Sequence, residues 1–132
     1  MAQERKKVGE IVWMDLTVDD ATSMRDFYSG VVGWTATPFD MGGYDDFCMN
    51  VPSTGDMVTG VCNARGTNAN LPPVWLMYVV VEDLDHSMAR CKDLGGELIA
   101  GPKRMGEDRY CIVRDPAGAA LALYQYGKDT PN

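Results

Sequence analysis

Apolar and polar residues alternate through residues 10–18, where Leu16 and Val18 are interleaved with Asp15 and Thr17, the period of two expected of a strand buried on one face. Asp19 and Asp20 then offer N-caps. Met24, Phe27, Tyr28, Val31 and Val32 recur at three- and four-residue spacing, which predicts an amphipathic helix packed through these residues and ended by Gly30 and Gly33. Three short strands follow at 34–39, 44–50 and 57–62, with turns at Gly42-Gly43 and across 53–56. The polar stretch 63–70 and Pro72-Pro73 read as a connection. Beyond it the order repeats: a strand at 74–81, then a helix at 83–94 with Leu84, Met88, Cys91 and Leu94 inward. Gly95-Gly96 stops that helix, and strands follow near 97–99, 109–113 and 119–126. Asp115-Pro-Ala-Gly118 fits the last hairpin turn, with proline second and glycine fourth.

The two halves are also alike residue by residue. At an offset of 63 positions Leu16 falls on Val79, Val18 on Val81, Asp20 on Asp83, Val31 on Leu94 and Gly33 on Gly96. The register then slips by one, so that Met41-Gly-Gly aligns with Met105-Gly-Glu. A duplicated βαβββ unit predicts an α+β fold in which two tandem modules, about 9–63 and 73–126, joined by a polar loop at 64–72, form one domain over 1–132. The groove between two equivalent sheets is then the expected place for function.

Each half, at about 60 residues, buries too little apolar surface to be secure alone, so the two are expected to lean on each other. The apolar fraction of 45% and the charged fraction of 23% suit a globular chain. A net charge of -7 argues against a nucleic-acid partner, which would need a basic face. The basic N-terminal residues are not followed by an apolar stretch of signal-peptide type, and no apolar run reaches the ~18 residues of a membrane span, so a cytoplasmic location without membrane contact is expected. Cys48, Cys62, Cys91 and Cys111 are widely spaced with no CxxC pair, which reads as reduced, space-filling thiols. The single histidine, His86, falls in the first turn of the second helix and reads as a solvent-facing residue.

Several segments in order, Leu16-Thr-Val-Asp-Asp20, Phe27-Tyr28, Val31-Val-Gly-Trp34, Val79-Val-Val-Glu-Asp83, Leu94-Gly-Gly96 and Asp115-Pro-Ala-Gly118, resemble the vicinal oxygen chelate superfamily of glyoxalases, bleomycin-resistance proteins and extradiol dioxygenases. The branch with Met41-Gly-Gly-Tyr44 and Ala122-Leu-Tyr-Gln125 is the most similar. The resemblance implies that each module curls its sheet into half of a cup, and that a divalent metal commonly sits inside on His, Gln or Glu. It also implies where those ligands lie: seven residues before the Asp that closes each opening strand, four after the last hairpin glycine, and on the first module's fourth strand. Here these positions hold Trp13, Leu76 and Ala122, and the stretch 57–62 offers neither carboxylate nor imidazole. No metal and no other cofactor is therefore expected.

Alternation places Trp13, Asp15 and Thr17 on the face opposite the first helix, and Leu76, Tyr78, Tyr110, Ile112, Arg114, Ala122 and Tyr124 on the corresponding face of the second half. Tyr44 and Tyr110 follow equivalent turns and are expected at the rim. The resulting candidate ligand-binding set is Trp13, Asp15, Tyr44, Leu76, Tyr78, Tyr110, Arg114, Ala122 and Tyr124, with Arg114 a possible counter-ion for Asp15. Three functions fit: a metal-independent binder of a small aromatic or amphipathic molecule; a lyase or dioxygenase-type enzyme, metal-dependent or using Asp15 as the catalytic base; and an assembly module, with Trp34 and Trp75 exposed. A homodimer is the expected assembly.

Overall fold

The computed structural model describes residues 5–128, so Met1–Glu4 of the basic N-terminal segment lie outside the described residues. Eight strands and two helices give an α+β chain of two compact units, one comprising 13–75 and the other the segment up to Val12 together with Leu76 onward. The division differs from the expected module boundary at the N-terminus. The stretch before the first strand bonds to the second half: Gly9 N–H donates to the Val80 carbonyl at 2.8 Å, Val80 N–H to the Glu10 carbonyl at 2.9 Å, and Arg5 to the Gly127 carbonyl at 2.7 Å.

In the unit spanning 13–75, β1 (Ile11–Val18) leads into α1 (Ala21–Val32), then β2 (Thr35–Asp40), β3 (Asp45–Asn50) and β4 (Met57–Asn63). The strand order is β2-β3-β4-β1, antiparallel except for the parallel pair β1/β4, in which Asp15 lies opposite Gly60 and Leu16 opposite Val61. The other unit repeats this with β5 (Trp75–Val80), α2 (Leu84–Asp93), β6 (Glu97–Met105), β7 (Asp108–Arg114) and β8 (Ala120–Gln125). Its order is β6-β7-β8-β5, with β5/β8 parallel. The parallel closure follows from the helix, which carries the chain across its sheet. A short 3-10 turn, Gly66–Asn68, lies in the expected loop. Among the described residues no helix is long and apolar enough to cross a membrane.

Each helix starts in the same way. Asp20 accepts from Ser23 N–H at 3.0 Å, and Asp83 from His86 N–H at 3.1 Å, satisfying amides that have no partner within the helix. The N–H one position after each cap is held by an amide side chain ending the unit's last strand: Asn63 accepts from Ala21 at 3.3 Å, and Gln125 from Leu84 at 2.6 Å. Both helical residues are 0% exposed, so these donors have no recourse to water. Left-handed Gly33 and Gly95 follow the two helices.

The core of the first unit packs Ala21 against Phe47, Met49 and Val61, with Val18, Met24, Tyr28, Trp34 and Trp75 around them. The second packs Leu84, Cys111 and Val113 with Met88, Cys91, Leu121 and Leu123. Two expected inward sets need correction. On α1 only Met24 and Tyr28 turn inward, while Phe27, Val31 and Val32 are 53%, 67% and 51% exposed, because the sheet meets a narrower stripe than the apolar run supplies. Leu94, past the end of α2, is also exposed. Gly96 has a packing reason: a Cβ there would meet the Cys91 sulfur at 2.5 Å and the Arg114 carbonyl at 2.8 Å. The outermost strands are interrupted, β2 by Pro38 and β6 by Pro102 and shifts of register.

Gln125→Ala and Asn63→Ala should each destabilise their unit by about 0.5–2 kcal/mol through the stranded helix amide, with the larger loss at Asn63, whose side chain also donates to the Asp45 carbonyl and the Asp46 carboxylate. Urea unfolding of both variants checks this, the same loss being absent for Asn70→Ala in the connecting loop.

Candidate functional site

Strand register fixes which side chains share a face. In the first unit Asp15 lies opposite Gly60, and a Cβ built on Gly60 would meet Asp15 Cβ at 3.6 Å, the Trp13 ring at 3.6 Å and the Cys62 sulfur at 3.7 Å. Trp13, Asp15 and Cys62 therefore gather around one residue on the face turned away from α1, as alternation predicted for the first two. Gly60 has no positive φ to demand glycine. A Cβ there would make only ordinary contacts, so the neighbours leave space for a methyl group but little more. Burial pushes the Cys62 thiol well above the usual range, and the nearby Asp15 and Asp46 carboxylates add to the effect, so it stays protonated and is no nucleophile at neutral pH.

The second unit's face is built across β5, β8 and β7, where Tyr78, Ala122 and Ile112 form one row and Tyr124 and Tyr110 the next. Tyr78 and Tyr110 stand on strands separated by β8, yet their rings approach to 5.7 Å between centroids. Tyr110 stands one row along from Ala122, opposite Tyr124, so the two rings meet diagonally across β8. Leu76 and Ala122 are 0% exposed and Tyr78 only 6%. Leu76 and Ala122, both expected as contact residues, are fully buried in this structure.

The remaining candidates are placed as follows. Tyr44 is half-buried, with the Arg65 guanidinium 4.6 Å from its ring centroid. Arg114 donates to the Gly118 carbonyl at 3.1 Å and lies 3.5 Å from Glu97, so its charge serves the hairpin it helps to close. His86 is exposed on α2, as expected.

Two polar residues on the second face escaped the sequence reading. Lys103 stands opposite Tyr110, its ammonium 5.9 Å from that ring centroid. It lies beyond the predicted end of β6, which continues through Gly101-Pro102 and a break in register. Asp108 accepts a short hydrogen bond from the Tyr124 hydroxyl and a second bond, at 2.7 Å, from Gly127 N–H. An acid at the first position of β7, two residues before the facing Tyr110, was the available signal. Tyr124 touches Tyr126 edge to face, and Arg5 covers Tyr126 at 4.9 Å.

A divalent ion needs several N, O or thiolate donors converging on it. The positions at which the family resemblance implies ligands carry an indole, a buried Leu and a buried Ala. Among the described residues no three His, Cys, Asp or Glu side chains come together as a metal centre would require. The donor set does not fit a metal ion.

Burial, and then the bond to the Asp108 carboxylate and its charge, raise Tyr124 above the ordinary tyrosine range. The folded state thus holds this proton more tightly than the unfolded chain, and stability should fall as pH rises above about 10. Spectrophotometric titration should show a late phenol component that is absent in Tyr124→Phe.

Comparison with known proteins agrees with this architecture. The chain is 32% identical over 135 aligned positions to the anthracycline biosynthesis protein DnrV of Streptomyces peucetius, covering 90% of this chain and 48% of DnrV. It is 30% identical to DauV, another anthracycline biosynthesis protein, from Streptomyces sp. (strain C5), with the same coverage. The chain thus spans about half the length of these relatives. Among solved structures, methylmalonyl-CoA epimerase of Streptomyces coelicolor superposes with a TM-score of 0.54 at 17% identity, over 92% of this chain and 100% of the epimerase, a likeness of fold alone. The model of the Glyoxalase/Bleomycin resistance protein/Dioxygenase superfamily matches residues 10–123, and the chain belongs to that superfamily.

Proposed function

We propose that this chain binds a small, flat aromatic or amphipathic molecule without a resident metal ion. The observation that carries the reading is that Trp13, Leu76 and Ala122 stand where the family resemblance implies metal ligands, the last two fully buried. A sheet face with an indole beside a carboxylate, and another with tyrosines beside a lysine, offer flat apolar area and a few orienting polar groups. The kinship to two proteins named for anthracycline biosynthesis supports a flat polycyclic compound as the ligand class.

Elemental analysis of protein purified without chelator should find no stoichiometric divalent ion, and one retained at full occupancy would defeat the proposal. Thermal-shift screening against hydroxylated polycyclic aromatics should find a binder, adding about 2.7 kcal/mol at 100 times its dissociation constant. Trp13→Ala should weaken that binding about tenfold or more, roughly 1.4 kcal/mol, while unfolding in urea stays cooperative.

A second reading, catalysis without metal, is favoured by Asp15, a carboxylate half-buried beside an indole on a sheet face. Should any bound compound turn over, Asp15→Asn is expected to abolish the rate and leave affinity within about a factor of three, the pattern of a general base rather than of a binding group.

A further inference from the structure

The edge strand β6 has one residue too many for its partner, and the surplus decides which side chain meets the tyrosines. Ala100 stands opposite Ile112 and Lys103 opposite Tyr110, so three steps along β6 match two along β7. Plain alternation from Ala100 would set Pro102 opposite Tyr110 and Arg104 opposite Asp108. The bulge sets Lys103 and Met105 there. Gly101 makes it possible: its φ is 98°, and a Cβ on it would lie 3.0 Å from the Tyr110 carbonyl oxygen and 3.1 Å from Cys111 Cα. Lys103 is half-buried, and its ammonium lies 5.9 Å from the Tyr110 ring centroid, inside the ~6 Å at which a ring attracts a cation.

We infer that Lys103 is a specificity-determining residue of this face, and that the flat ligand it favours bears an ionised acid group. The inference rests on the reading that the tyrosine face takes a flat aromatic molecule, and it adds the charge which that molecule carries. Tyr110, with the Tyr78 ring 5.7 Å away, supplies flat apolar area, and Lys103 borders the same ring. An ammonium has protons to donate and no lone pair to accept with, so the group it favours is an acceptor, and an anion above all. A bulge interrupts the ladder and re-aims a side chain; the one re-aimed here is a cation set beside paired rings. Asp108, one row along, has its carboxylate engaged by the Tyr124 hydroxyl and Gly127 N–H. The net charge of -7 does not oppose an anionic ligand, because at physiological salt charges beyond about 8 Å are largely screened and the sign at the contact decides.

Fluorescence titration with anthracene carboxylate and its neutral carboxamide tests this. The unaltered chain should hold the carboxylate at least about tenfold more tightly. That preference should shrink as salt rises from about 0.01 to about 1 M, which shortens the screening length from roughly 30 to roughly 3 Å. Lys103→Met keeps an aliphatic stem and removes the charge, so the two compounds should then bind alike, the carboxamide within about a factor of three of its affinity for the unaltered chain. Equal affinities in the unaltered chain, or a carboxylate preference that survives in Lys103→Met, overturn the inference and leave flat-molecule binding in place. If neither compound binds, the inference also fails, and the screen of hydroxylated polycyclic aromatics decides separately whether the face takes flat molecules at all. Should Lys103→Met lose its fold, as circular dichroism will show, the salt series on the unaltered chain decides, and a preference that stays constant refutes the charge contact.

Discussion

Each unit hangs on an amide side chain at the end of its last strand. Asn63 and Gln125 occupy equivalent places, and each holds the N–H of the buried residue that begins its unit's helix. The bond is small in energy, of the order of a kcal/mol, but it joins the start of the helix to the strand that closes the sheet. Once it is made, the helix lies over the sheet in one orientation, the first strand lies parallel to the last, and the opposite face of the sheet is left to other uses. Asn63 is itself fixed, donating to the Asp45 carbonyl at 2.7 Å and to Asp46 at 3.0 Å. The same tie occurs twice with different amides, which is how a duplicated fold keeps a constraint while its sequence drifts.

The parts of this architecture that depend on local periodicity were legible in the chain. Alternation in 10–18 separated Leu16 and Val18 from Trp13 and Asp15, and the caps at Asp20 and Asp83 lie where the sequence puts them. The amide ties were not legible, since they join residues 42 and 41 positions apart and no local pattern announces them. Helix width was misjudged for a related reason. Apolar residues on α1 fill a stripe wider than one sheet can cover, and sequence does not distinguish residues facing a core from residues kept for the surface. Lys103 was lost because β6 runs on through a glycine and a proline, residues that ordinarily end a strand. Ala122 was assigned its face by alternation, but its complete burial depends on packing between strands that no local pattern announces.

The two faces turned from the helices share a design. In one an indole and a carboxylate gather around a strand-interior glycine, and in the other two tyrosine rings approach to 5.7 Å on a face whose middle strand carries a buried alanine. Small residues at the centre of a sheet set how closely rings can pack above it, and thereby the character of the surface.

The interrupted outer strands have a bearing on how copies of the chain meet. With Pro38 in β2, and Pro102 and broken register in β6, neither border offers the long, regular row of free amides that another backbone could zip onto. Open-ended stacking into fibres through backbone pairing at these borders is thereby discouraged.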